Sequence, residues 1–210
     1  MDNSPIVIYW AGTLFNHKEL IGNLMLAKAI ESMSDGRYTV RLPQDIQTPP
    51  TATAVDIRNA DLKELVQCDA IVANFDGAEL DSGTVVEFCI AKALDMPSVL
   101  LRTDFRNVGD ADGIPWTLMC AGWPRTEILW INSLVDYHNH TIEDFHNNLA
   151  RKIIQSLDKA FAMKPWLSAD DAAAHLRRTV QSIGSGLSEL LTDETIAAIV
   201  ERKHRNGQLA

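Results

Sequence analysis

Cysteine is scarce in this 210-residue chain, and the three present, Cys68, Cys89 and Cys120, are far apart and odd in number. They lack the close pairing of a zinc ribbon and offer no disulfide framework, so the expectation is reduced, mostly buried thiols in a cytoplasmic protein. The six histidines form no HxxxH or HExxH pair, and no metal site is expected. Basic residues are outnumbered, 19 Lys and Arg against 28 Asp and Glu. A net charge of −9 argues against a nucleic acid polymer or an anionic membrane as partner. There is no run of 18 apolar residues and no basic-then-apolar leader, so neither membrane insertion nor export is expected. The phosphate-binding patterns GxGxxG and GxxxxGK[ST] are absent, and so is the GxSxG nucleophile turn. Hydrophobic content of 46% and charged content of 22% are those of an ordinary globular chain.

What is present is an alternation of apolar runs with helix-period segments. Ile6–Trp10, Tyr38–Leu42, Ala70–Asn74, Ser98–Arg102 and Glu127–Ile131 read as strands. Leu20–Met33, Ala52–Cys68, Thr84–Leu94 and Ile142–Met163 read as helices. Strands that are apolar throughout belong in a parallel sheet covered on both faces. The pattern predicts an α/β fold, a doubly wound five-stranded parallel sheet of flavodoxin-like order. After Lys164-Pro165 the character changes: a main domain is expected over 1–164 and a helical C-terminal extension over 165–210. The extension reads as two helices, with N-cap regions at Ser168 and Thr192 and an apolar stripe of Ile196, Ile199 and Val200. It would pack on the domain or on a neighbouring subunit.

In such a sheet, ligands bind at the carboxyl ends of the strands. Four segments converge there: Tyr9–Phe15, Asp76–Glu87, Arg102–Arg106 and Trp116–Met119. The second carries four carboxylates, Asp76, Glu79, Asp81 and Glu87. Carboxylates this close drive their pKa values apart, which suits one ionised nucleophile and one proton donor at an anomeric carbon. Each residue also has a plain structural reading. Glu87 fits a capping box with Thr84 as N-cap, and Asp81 can cap the same helix. Tyr9 and Trp10 can be core, Phe15 simple packing, and Asp61 a solvated helix residue. Gly77 and Gly83 suit tight turns near a ligand. Arg102, Asp104 and Arg106 suggest a local ion-pair network at the sheet edge.

These residues carry a resemblance. Ile8-Tyr-Trp-Ala-Gly-Thr-Leu-Phe15 resembles the Y-x-A-G-P-L-F opening of the nucleoside 2-deoxyribosyltransferase family, with Thr13 in place of Pro. The block from Asp76 to Glu87 is similar, without a gap, to its D-G-x-x-x-D-x-G-T-x-x-E motif, and Asp61, eight residues before Asp69, matches a further acidic position. The resemblance covers roughly residues 6–131. It implies that Glu87 is the nucleophile that forms a deoxyribosyl ester, with Tyr9 orienting it. Asp61, with Asp76, would contact the base and manage its proton. Asp81 would accept from the sugar 5′-hydroxyl, and Phe15 would line the base pocket. Met119 would stand near a neighbouring subunit's site, although Thr117 replaces the Asn that the family often places two residues before it. The implied substrates are a 2′-deoxynucleoside and a free nucleobase, the implied role nucleoside salvage, with no cofactor and with a homo-oligomer whose sites lie near subunit interfaces.

Two rivals share the scaffold. A 2′-deoxynucleoside 5′-monophosphate N-hydrolase would pass the sugar to water, and such relatives tend to place Ser where this chain has Asp81. At an effective dielectric of about 20, two like unit charges about 4 Å apart repel by roughly 4 kcal/mol, so a carboxylate there disfavours a 5′-phosphate. The other rival is a non-catalytic nucleoside sensor, since fold does not fix function.

Overall fold

The computed structural model describes residues 5–106 and 116–210. Its strands are β1 (Ile6–Ala11), β2 (Tyr38–Arg41), β3 (Ala70–Asn74), β4 (Ser98–Arg102) and β5 (Thr126–Trp130). They form one sheet of order β2-β1-β3-β4-β5 in which every neighbouring pair is parallel. This is the doubly wound, flavodoxin-like order the sequence predicts. β3 and β4 occupy the predicted residues, and β5 begins one residue early.

The helices are α1 (His17–Met33), α2 (Ala54–Gln67), α3 (Ser82–Ala93), α4 (Ser133–Asn139), α5 (Ile142–Ala162), α6 (Ala169–Ile183), α7 (Leu187–Leu190) and α8 (Asp193–Arg205). The short α4 was not anticipated: its seven residues, capped by Asn132, are too few to show a helical period. Residues 107–115 lie outside the described residues. No helix among the described residues is long and apolar enough to cross a membrane.

Successive strand residues point to opposite faces. Ile8 and Trp10 of β1, Ala70 and Val72 of β3, and Val99 and Leu101 of β4 therefore meet α1 and α5 in one core. Tyr9, Ala11, Ile71, Ala73 and Leu100 meet α2 and α3 in the other. This parity decides what can reach the helix that carries Glu87: Tyr9 lies beneath it, and Trp10 does not.

The C-terminal helices join the second core. Leu176, Val180, Leu187, Leu191, Ile196 and Ile199 are buried in the same cluster as Leu62, Leu65 and Val66 of α2. Ser168 and Thr192 cap α6 and α8 as predicted, while α7 adds a third, one-turn helix between them. A buried ion pair fastens the extension: Arg125 lies 3.2 Å from Asp95, both essentially inaccessible. Asp95 Oδ2 accepts from the backbone N–H groups of Trp166 and Leu167, and Arg125 Nη1 donates to the Gln208 carbonyl at 3.1 Å. Removing one partner of a buried pair strands the other charge. Arg125→Met should therefore lower unfolding free energy by about 3 kcal/mol, measured by chemical denaturation; a loss below about 1 kcal/mol would contradict this account.

Candidate active site

The helix α3 begins at Asp81, not at Thr84. Asp81 is its N-cap: Oδ2 accepts from the Thr84 backbone N–H at 2.7 Å and from the Thr84 hydroxyl at 2.8 Å. The capping-box reading of Glu87 is thereby corrected, because Thr84 takes the third helical position and Glu87 falls a turn further in. Gly83 permits this cap, since a Cβ there would stand 3.1 Å from Asp81 Oδ2.

Freed from the helix start, Glu87 faces the sheet. The Tyr9 hydroxyl donates to Glu87 Oε1 at 2.7 Å. Tyr9 is fully buried, and burial, followed by the charge of Glu87, pushes its phenol pKa far up, so it remains a donor. Burial lifts the Glu87 pKa to about 7, against the bond from Tyr9, which favours the ionised form; the charges of Asp61 and Asp81 raise it further. Asp61, half-buried on α2, is lifted to about 6 by burial. It is not the solvated helix carboxylate that the plain reading of its position offered. Tyr9, Glu87 and Asp61 thus form one electrostatically coupled group from β1, α3 and α2.

The remaining expected residues fall elsewhere. Asp76 is engaged at the root of the loop: its carboxylate accepts from the Thr103 backbone N–H, the Thr103 hydroxyl at 2.7 Å and the Asp104 N–H at 2.9 Å. Gly77 follows with φ of +127°, a backbone that suits glycine, and a Cβ there would meet the Glu79 carbonyl at 3.2 Å. Phe15 is three-quarters exposed, its N–H donating to Glu19 Oε2. Met119 is equally exposed on a single 3-10 turn, Leu118–Cys120, whose start Thr117 caps by accepting from the Met119 N–H. Trp123 donates to the Met119 carbonyl at 2.9 Å and packs edge-on against Phe88, which places this loop against α3 next to Glu87. Trp10 is core on the far face, donating to Asn23 at 3.1 Å. On that face lies a cavity of about 410 Å³ bordered by Trp10, Thr13, Asp76 and Gly77; neither Tyr9, Asp61 nor Glu87 lines it.

Arg102 ends β4, as read from the sequence, and it joins the expected network with Asp104 and Arg106, but its principal partners are carbonyls. It is fully buried, donating from Nη1 to the Phe75 carbonyl at 2.5 Å and from Nη2 to the Gly77 carbonyl at 2.9 Å. Arg106 pairs with Asp104, while Arg102 stands 3.9 Å from it. The signal was available: a charge at the end of an apolar central strand has to find partners nearby. Side chain to backbone bonds therefore run both ways between residues 75–77 and 102–104. They fix the loop that delivers Asp81 and α3.

A family model for nucleoside 2-deoxyribosyltransferase matches residues 8–151. The chain belongs to the nucleoside 2-deoxyribosyltransferase family, and with it to the transferase enzymes. No curated protein matches. Among solved structures, a conserved protein of Enterococcus faecalis V583 is similar at 22% identity and a TM-score of 0.49, over 74% of this chain and 98% of that one. A 2-desoxiribosyltransferase from Leishmania mexicana gives 23% and 0.47, over 70% and 98%. A 2-deoxyribosyltransferase from Bacillus psychrosaccharolyticus gives 16% and 0.46, over 66% and 95%.

The raised Glu87 pKa has a stability signature. In the unfolded chain this group titrates near 4.5, in the folded chain near 7. Folding thus binds an extra proton between those values, and stability falls as pH rises through that window. Glu87→Gln removes the effect while keeping shape. The variant should match the parent near pH 4 and exceed it above pH 7 by on the order of 2 kcal/mol, after allowance for partial exposure. Equal stability at both pH values, by chemical denaturation, would show that Glu87 is not held in a desolvating site.

Proposed function

We propose that the protein transfers the 2-deoxyribosyl group between nucleobases through a covalent ester on Glu87. The observation that carries this reading is the 2.7 Å bond from the Tyr9 hydroxyl to Glu87 Oε1. It fixes one oxygen of a carboxylate and leaves the other to attack, and it favours the ionised form. An ionised Glu87 oxygen attacks C1′ of the deoxynucleoside as the C1′–N bond breaks. The base departs with the bonding electrons and takes a proton from Asp61, whose affinity for a proton is raised by burial, to a pKa of about 6. A ring nitrogen of a second base then attacks C1′ from the vacated face. The ester oxygen leaves, Glu87 returns to carboxylate, and Asp61 recovers a proton. Two inversions give net retention.

Asp81 would accept the sugar 5′-hydroxyl through Oδ1, since Oδ2 is held by Thr84. Phe15 and Met119 would border the base and sugar. Both are exposed apolar side chains in the single chain, which supports a site completed against a second copy. Light scattering of the purified protein should therefore give a mass at least twice 23.3 kDa; a monomer at micromolar concentration would contradict it.

The decisive assay is incubation with deoxyinosine, with and without adenine, with products followed by chromatography. Deoxyadenosine should form only with adenine, and Glu87→Ala should abolish it. Because Glu87 must be ionised and Asp61 protonated, kcat/KM should peak between about pH 6 and 7 and fall on both sides. Hypoxanthine released equally without adenine would identify a hydrolase. Nucleoside binding without any product, from this donor or thymidine, would identify a sensor.

A further inference from the structure

We infer that the C-terminal helices hold α2 in register so that Asp61 faces Glu87, with Asn59 as the positioning residue. This rests on the reading of Asp61 and Glu87 proposed above. The helices concerned lie beyond residue 151, outside the family match.

Asn59 is an odd residue for its place. It lies inside α2 and is almost fully buried. Asparagine is a poor helix former, and a buried amide is costly without partners. Its partners come from the extension and from its neighbour. Nδ2 donates to the Ser185 carbonyl at 2.7 Å, and Oδ1 accepts from Arg58 Nη2 at 2.7 Å. Arg58 Nη2 also reaches the Gly184 carbonyl at 3.4 Å. The turn that presents these carbonyls is built for it. Gly184, Ser185 and Gly186 all have positive φ, +68°, +52° and +85°. Gly184 has ψ of −158°, a combination reserved for glycine. A Cβ on Gly186 would meet Asn59 Nδ2 at 3.9 Å.

A second tie lies at the other end of α2. Arg202 of α8 donates to the carbonyl of Gln67, the last residue of α2, and pairs with buried Asp69 at 3.1 Å. Between these ties the contact is apolar: Leu62, Leu65 and Val66 against Leu187, Leu176 and Ile199. Apolar contacts attract without fixing rotation, whereas a hydrogen bond has direction. Residues two apart on a helix lie about 200° apart around its axis, so Asn59 holds the side of α2 roughly opposite to Asp61. A carboxylate about 6 Å from the axis moves roughly 2 Å for a 20° rotation. That displacement is enough to separate Asp61 from the leaving base.

The test is a double-mutant cycle in the full chain. Asn59→Leu removes the directional bonds, keeps the branched outline and adds no charge. It should lower kcat for base exchange about tenfold with donor KM little changed. The same change in an Asp61→Asn background should cost nothing further, because the residue it positions is gone. Leu209→Ala, inside the extension's own packing with Leu167 and Ala172, should lower Tm and leave kcat alone. If Asn59→Leu fails to fold, Leu187→Val loosens the same contact and replaces it in the cycle. An unchanged kcat, or a full tenfold loss on top of Asp61→Asn, would overturn the inference and leave base exchange standing. Absence of exchange in the parent enzyme would remove the function itself, and the inference with it.

Discussion

A tyrosine hydroxyl sealed beneath a helix must donate to something, and here it donates to Glu87. Much of the site's architecture serves that bond. The parity of β1 decides which aromatic lies under α3. The parallel pairing of β1 with β3 sets the height at which the hydroxyl meets the helix, with Tyr9 level with Ile71. The start of α3 at Asp81 sets which of its residues points inward. Burial and hydrogen bonding then pull the carboxyl in opposite directions, and burial prevails. The outcome is a group poised near neutrality, the range in which a carboxylate can be both ionised and reactive.

Precision of this kind needs a fixed frame. On one side, Arg102 grips two carbonyls of the loop after β3, while Asp76 of that loop grips the backbone after β4. The exchange is reciprocal, so neither segment can shift without breaking bonds on both. On the other side, the extension shares a continuous apolar core with α2. Sequence marks a boundary near Lys164-Pro165, where composition changes. The packing shows no break there, because the second face of the sheet is covered in two tiers.

The fold was largely legible because its determinants are local. A β3 or β4 whose interior is apolar without alternation belongs in a covered parallel sheet, and capped periodic segments mark the helices. The pairing of Tyr9 with Glu87 was reachable only through resemblance, since no local rule joins residues 78 positions apart. The helix start was misread for a definite reason. Asp81 and Thr84 are both good cap residues, and only the folded loop shows which hydroxyl or carboxylate closes on which N–H. The anchoring bonds of Asp76 and Arg102 could not be read because most of their partners are backbone atoms, which have no signature in a sequence. The plain reading of Asp61 as a solvated helix residue missed its burial, which comes from neighbours on other elements.

Asp81 closes the first turn of α3 with a single oxygen, Oδ2. Helix starts accept aspartate and serine almost equally well. A serine at this position would therefore keep the helix seated while exchanging a negative charge for a hydroxyl. In the role proposed for Asp81, the residue that meets the 5′ end of the sugar is thus one the fold can spare. Under that proposal, ligand choice at this point would be uncoupled from folding, although the same side chain would take part in both.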